Sequence, residues 1–406
     1  MTTIRIAVDA PPGPIKCPRN YGALQLASLG ALPPRAPLSA PLPNVDIEGG
    51  CDIDIKDEGH TYTLSPKANN ICKLDNVSGK DYLNGLNYLA SHDVIVRHLI
   101  MSKAKLGLTQ DGSAIISFPE KVPAFEGLLS SPAWIPFRTD KWPGARQVCE
   151  IAPNRWEAFC PYNSLPSILI EVIRNPEENI TFYEKGIINQ TADTATPFNS
   201  APPINGQRIV KKTSLRGILV FSGELVGNDK KSLRNEIKNI INSTNCGEHV
   251  GWAKASTPSD DPAPLKNLIT LDWSPTASRN GYILAFSDYY PNAIVAWSIA
   301  TTLHKHGIPC TPVSDSYSNP KIKAAMRLMI VSGPTDDTWG RYASLILCPV
   351  WRSELKAQKS YVNTLKSSTF SNADRQFLDD LLNDLCPNVT IGAIPSICLS
   401  NVNLKN

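Results

Sequence analysis

The sequence predicts an α/β protein of two lobes built on mixed sheets, and three observations carry that reading. The chain has 406 residues, more than one compact core usually holds. A stretch rich in Thr, Pro, Ser and Asn at 192–214 separates halves of different texture and reads as a linker. Beyond it, residues 281–286, 291–306 and 308–313 read as strand, helix and strand. A crossover of that length joins parallel strands.

Each element has its own signal. Residues 3–8 alternate as a strand, and the Pro- and Ala-rich stretch 10–45 reads as a surface loop. Residues 52–66 alternate around Glu58-Gly59, a hairpin pattern. Over 78–90 the spacing predicts a helix capped by Ser78, with Asp81 placed to complement its N-terminus. Residues 113–118 and 167–173 read as strands, and 217–221 as a wholly apolar one. An amphipathic helix follows at 229–241, with Leu233, Ile237, Ile240 and Ile241 on one face. Pro291 opens the helix to His306, whose core side carries Ile294, Val295, Ile299 and Leu303, and Gly307 ends it. Residues 326–331 supply a further strand, and 373–385 a last amphipathic helix through Phe377, Leu378, Leu381, Leu382 and Leu385.

Composition excludes several classes. Hydrophobic residues at 42% and charged residues at 19% make an ordinary globular balance. A net charge of +3 is too small for a nucleic-acid partner. No apolar run approaches the roughly 18 residues of a membrane span. The 34 prolines outnumber the 24 glycines, which favours short elements with stiff connections. The 10 cysteines are widely spaced and form no CxxC pair, so buried free thiols are expected rather than a zinc site or a disulfide scaffold. No signal-peptide pattern opens the sequence, which points to the cytoplasm. An extracytoplasmic, periplasmic protein whose signal has been removed is the alternative.

Enzyme signatures are missing: there is no GxSxG, HExxH, GxGxxG or P-loop. His304 and His306 point to different helix faces, and the closeness of Cys246 to His249 carries little weight. No metal and no cofactor are expected. Binding chemistry has better candidates. Asp288, Tyr289 and Tyr290 lie where a parallel strand ends and a helix begins, the usual ligand position of an open α/β sheet. An ordinary βα turn would explain them equally well. Asp336 and Asp337 beside Trp339 suit a cationic group, though a capped turn with solvated acids is as good an account. Trp273 is a third aromatic candidate for a cleft wall.

In order, these segments resemble the family-5 solute-binding proteins of ABC transporters, the peptide, dipeptide and nickel binders. Glu58-Gly59-His60-Thr61-Tyr62-Thr63-Leu64 resembles the family's "dGktYtftL" hairpin, and Ser78-Gly79-Lys80-Asp81 its "tAeD" helix start. Arg174-Asn175 matches "rNpnY" and Gly186–Asn189 matches "aGeiD". Asp229, Leu233-Arg234 and Ile237 resemble "fdD.rvRqAi", and Cys386-Pro387 with Ala393-Ile394-Pro395 the closing "l.ed.P.iPl". Phe221-Ser222 replaces the usual Asn after the first strand beyond the linker. The family's ligand segment survives only as Ser332-Gly333-Pro334-Thr335-Asp336-Asp337, where its acid would match Asp336, with Asp337 one step off.

The resemblance implies a two-lobed periplasmic-binding-protein-like α/β fold of the class II, cluster C type, with mixed sheets, a hinge and a central cleft. It divides the chain into lobe I at 1–205 with a reduced insertion, lobe II at 206–350, and a segment at 351–406 that returns to lobe I. It implies a monomer that closes on a small molecule or short peptide, with an ABC permease as partner if the protein is exported. The thiols and the missing signal keep two alternatives open: a cytoplasmic biosynthetic enzyme on the same fold, and a ligand sensor.

Overall fold

The computed structural model describes residues 3–8, 33–35, 49–67, 77–131, 133–137, 147–159, 167–192, 196–197, 200, 206–211, 215–253, 281–316, 320–331, 333–335 and 337–401. Most of the expected loop at 10–45, and the candidates Trp273 and Asp336, lie outside the described residues.

The strands of the first half are β1 (Ile4–Val8), β2 (Cys51–Lys56), β3 (Thr61–Pro66), β4 (Lys105–Leu108), β5 (Ala114–Ser117), β6 (Gln147–Ala152), β7 (Arg155–Phe159) and β8 (Ile168–Val172). Among them run helices α1 (Gly79–His92), α2 (Pro123–Leu129) and, after β8, α3 (Pro176–Glu184). The second half carries β9 (Gln207–Lys211), β10 (Arg216–Phe221), α4 (Lys231–Ser243), β11 (Tyr282–Ser287), α5 (Asn292–Lys305), β12 (Cys310–Asp315) and β13 (Met326–Val331). It ends with α6 (Thr338–Leu345), α7 (Leu355–Leu365), α8 (Asn372–Leu385), β14 (Asn388–Ala393) and β15 (Ser396–Ser400).

Three sheets organise these elements. The first runs β6-β7-β8-β1; bridges through Gln190 to Ile6 and Ser400 extend it to β15 and β9. The second is an antiparallel sheet in the order β2-β3-β5-β4. The third is mixed, in the order β12-β11-β13-β10-β14. Its β11 pairs parallel with β12 and β13, which is the geometry the crossover required.

Local chemistry accounts for the elements that position the site. Ser78 and Asp81 form a full capping box, so α1 starts where the sequence predicts. Strand β10 is apolar from Gly217 to Phe221 because it is central and covered on both faces. Ile218 and Val220 join one core, while Leu219 and Phe221 join another. In α5, Val295, Ile299 and Leu303 are buried against that second core. The helix itself begins at Asn292, one residue after Pro291, and β12 begins at Cys310 rather than Ile308. Gly307 carries the turn between them at φ +79°, a conformation open to glycine.

The expected linker is not all irregular. Its last part, β9, is paired antiparallel with β15. Polar composition hid it, because an edge strand with a solvated face needs no apolar run. The chain therefore passes from the first sheet to the third between β9 and β10, and returns between β14 and β15. At the crossings the backbone N–H of Ile394 donates to the carbonyl of Leu215 at 3.1 Å. Among the described residues, no helix is long and apolar enough to cross a membrane.

Candidate functional site

Strands β8 and β11 belong to different sheets, yet the residues just past their carboxyl ends meet. Arg174 follows β8, Asp288 follows β11, and Arg174 Nη1 lies 3.7 Å from Asp288 Oδ2. Both side chains are 43% exposed, so the pair sits at the mouth of the junction rather than inside it.

Tyr290 lies deeper. Its ring packs against the core of the third sheet and also against a separate cluster of Ala7, Ile173, Tyr183, Ile188, Ala192 and Leu399. Burial pushes its phenol up to about 12, so the hydroxyl stays protonated at neutral pH. The Tyr290–Pro291 peptide is cis. Tyr289 is half-buried, and its backbone N–H donates to the Ser287 carbonyl at 2.9 Å.

Buried polar atoms flank this junction. The side-chain oxygen of Asn292, the hydroxyl of Tyr183 and the side-chain nitrogen of Asn179 have no hydrogen-bond partner among the described residues. Burial also raises the Tyr183 phenol. Unpaired groups in such positions are costly unless something polar completes them. Sequence reasoning missed all three, and it also missed Arg174 as a neighbour of Asp288. Only the family likeness around Arg174-Asn175 marked that stretch.

The second predicted group behaves differently. Asp337 caps α6: its Oδ1 accepts from the backbone N–H of Gly340 at 2.9 Å and from the Thr335 hydroxyl. Its other oxygen lies against α2, where a Cβ on Gly127 would stand 2.6 Å away. Trp339 is 3% exposed, and its indole N–H donates to the Leu365 carbonyl at 2.9 Å. Its ring is taken up by the interior. The structure thus brings Asp288 and Tyr290 together with Arg174, and places Asp337 and Trp339 elsewhere. Among the described residues, no cluster of three or more His, Cys, Asp or Glu side chains is arranged to hold a metal.

No protein-family model matches the sequence, and no curated protein matches it. Solved structures do. NikA from Staphylococcus aureus, crystallised with Ni(L-His)2, superposes with a TM-score of 0.76 over 100% of this chain and 96% of its own, at 12% identity. The fold is that of the family-5 solute-binding proteins. A periplasmic oligopeptide-binding protein from Borrelia burgdorferi matches with a TM-score of 0.72 at 12% identity, over 99% of this chain and 95% of its own. The murein tripeptide binding protein of Escherichia coli matches over 98% and 94% at the same score and identity. Identities this low carry the architecture alone, so the junction of β8 and β11 has to be judged on its own chemistry.

Proposed function

We propose that this chain is a two-lobed binding protein that closes on a small peptide-like or amino-acid-derived molecule between its first and third sheets. One observation carries the reading: two sheets joined by paired strand crossings bring opposite charges and an aromatic ring together at strand carboxyl ends. Arg174 would meet an anionic group of the ligand and Asp288 a cationic one, with Tyr290 as an apolar wall. Asn179, Tyr183 and Asn292 offer a donor, a hydroxyl and an acceptor that lack partners among the described residues. The lobe boundaries follow the two crossings, and closure excludes water around the ligand.

The solved neighbours are described as binders of oligopeptides, a murein tripeptide and nickel–histidine, which supports this class of ligand. The Borrelia burgdorferi protein is described as periplasmic and as an oligopeptide ABC transporter, which supports an exported protein serving an ABC permease. A monomer is sufficient for such a role.

Native mass spectrometry of the purified protein, followed by thermal shifts against amino acids, dipeptides, tripeptides and a metabolite extract, tests the reading. Binding raises the melting temperature with ligand concentration, and the ligand is recovered unchanged. A ligand that returns with altered mass moves the assignment to an enzyme. A protein that responds to none of these mixtures refutes it.

A further inference from the structure

We propose that β4 pairs antiparallel with β4 of a second copy of this chain, joining two four-stranded sheets into one continuous sheet. Strand β4 is the last in the order β2-β3-β5-β4, and all four of its residues are exposed. Sheet edges in native proteins are usually blunted by charge, proline, a bulge or a covering segment. The opposite edge follows that rule. There β2 carries Asp52, Asp54 and Lys56, and the backbone N–H of its Cys51 donates to the Pro34 carbonyl at 3.0 Å. By contrast β4 reads Lys-Leu-Gly-Leu, and among the described residues no strand pairs with its outer side.

The leucines of β4 belong to the buried face of the sheet. Leu106 is aligned with Ile116 and then Tyr62, and Leu108 with Ala114 and then Leu64. Those four neighbours are 0% exposed, whereas Leu106 and Leu108, continuing the same two rows, are 36% and 48% exposed. One more strand beside β4 would cover them. The backbone decides which groups that strand would meet. Thr109 N–H donates to the Ser113 carbonyl at 2.9 Å, closing the β4–β5 hairpin. Hydrogen-bonded and non-hydrogen-bonded pairs alternate along an antiparallel ladder. Lys105 and Gly107 therefore turn their N–H and C=O groups towards β5, and Leu106 and Leu108 turn theirs outward.

A second copy satisfies all of this in one register. With Gly107 opposite the partner's Gly107 on a two-fold axis, Leu106 faces the partner's Leu108. These are the residues whose backbone groups point outward, so each such pair exchanges both of its hydrogen bonds. The leucines of both copies then pack on one face, extending the layer of Tyr62 and Ile116. The glycines form a non-hydrogen-bonded pair, the closest approach in a ladder, and a Cβ on Gly107 meets nothing within 4 Å in the single chain. Charge agrees with the register. Lys103, bonded to Glu120 at 2.8 Å, and Lys105 stand at one end of the edge and Asp111 at the other. The two-fold axis sets the basic end of each copy against the acidic end of its partner.

The pairing lies outside the binding role and uses none of the residues at the junction of β8 and β11, so either can fail alone. Sedimentation velocity of the purified protein over rising concentration should show a monomer–dimer equilibrium. Leu108→Lys, at an exposed position, should weaken the dimer about tenfold or more, because its charge would be buried against the partner's Leu106. Gly107→Cys reads the register. Under mild oxidation the two introduced thiols should link into a covalent dimer, with the parent and its exposed Cys149 setting the background. Leu106→Cys, which faces the partner's Leu108 and not its own counterpart, should link far more slowly. A chain that stays monomeric at every concentration overturns the proposal and leaves β4 to another kind of partner, such as an extended segment of a permease. A dimer unaffected by Leu108→Lys places the contact elsewhere and overturns it too. Linking through Leu106→Cys as fast as through Gly107→Cys overturns the register.

Discussion

Arg174 and Asp288, 114 positions apart in the chain, face each other at 3.7 Å from the ends of two strands in two different sheets. The pair is half exposed, and pairs of that kind contribute about 0–1 kcal/mol. Arg174→Gln and Asp288→Asn should therefore leave unfolding free energy within about 1 kcal/mol of the parent. Ligand affinity should fall about tenfold or more for each, since a charged hydrogen bond in a site is worth roughly 1.5–3 kcal/mol. Denaturant melts beside titration calorimetry separate the two effects. A large stability loss without an affinity loss would mark the pair as structural.

Arg234 is a buried charge whose side-chain hydrogen bonds, among the described residues, run to backbone carbonyls. It is 0% exposed and donates through Nε to the Cys386 carbonyl at 3.2 Å. Its Nη1 reaches Leu225 and Gly227 at 2.9 and 2.8 Å, and Nη2 reaches Leu385 at 3.0 Å. The guanidinium thus ties α4 to the end of α8 with carbonyls alone, and burial lowers its pKa. Arg234→Met leaves several buried carbonyls unpaired and should cost about 3 kcal/mol or more. Lysine should rescue little, because one ammonium cannot span that fork. Chemical denaturation of both variants measures this.

Trp252 lies flat on β10 and β14. A Cβ on Gly217 would collide with its ring, and one on Gly392 would stand 3.0 Å from its Cβ. Gly217→Ala should cost about 1–3 kcal/mol by overpacking. Trp252→Ala, which empties the same contact, should cost about 3–5 kcal/mol. If steric conflict is the cause, combining the two should cost less than their sum.

Asp315 supplies a pH dependence of known sign. It accepts from the backbone N–H groups of Lys321, Ser316 and Ile322 and pairs with Arg327 at 2.7 Å. These bonds, that to Lys321 first, lower its pKa from 3.8 to about 2. Because the folded value is the lower one, the stabilisation is full above the unfolded pKa and disappears as pH falls from 3.8 towards 2. Asp315→Asn should be less stable at neutral pH and should flatten the acid limb of the melting profile.

The thiols divide by burial. Cys51, Cys310 and Cys348 are pushed up to about 12 and Cys386 to about 11, while Cys149 is exposed. Thiolate, not thiol, reacts with alkylating agents. Brief treatment with iodoacetamide followed by peptide mapping should label Cys149 well ahead of these four, and denaturation should abolish the difference. Fast labelling of Cys348 in the folded protein would contradict its place in the core.

Elements with a strict period and a terminus signal were readable from residues alone. The capping box at Ser78, the hairpin read over 52–66, the α4 face of Ile237, Ile240 and Ile241, and the parallel crossover are all present, the crossover's helix and second strand starting one and two residues later than the pattern puts them. Short exposed strands such as β4 were not readable. It has four residues, all exposed, and the alternation of Leu106 and Leu108 is too short to mark a strand. Candidate site residues were only half legible. An acid beside an indole looks the same in sequence whether it waits for a ligand or caps a helix. Which it does depends on where α6 points, and there Asp337 caps the helix while Trp339 reaches Leu365.

By itself, then, the sequence determined the elements with a strict apolar period or a terminus signal, because capping, turn chemistry and apolar period act over a few residues. It also marked Gly217–Phe221 as a wholly apolar strand, and the sheet order explains why: the strand is central and covered on both faces. The tertiary structure alone decided that Arg174 meets Asp288, that Tyr290 bridges two cores, and that buried residues such as Tyr62, Leu86 and Trp134 share a core with Val220 and Trp339 of the five-stranded half. Those are contacts between segments far apart in the chain, set by how whole faces fit, and no local pattern encodes them.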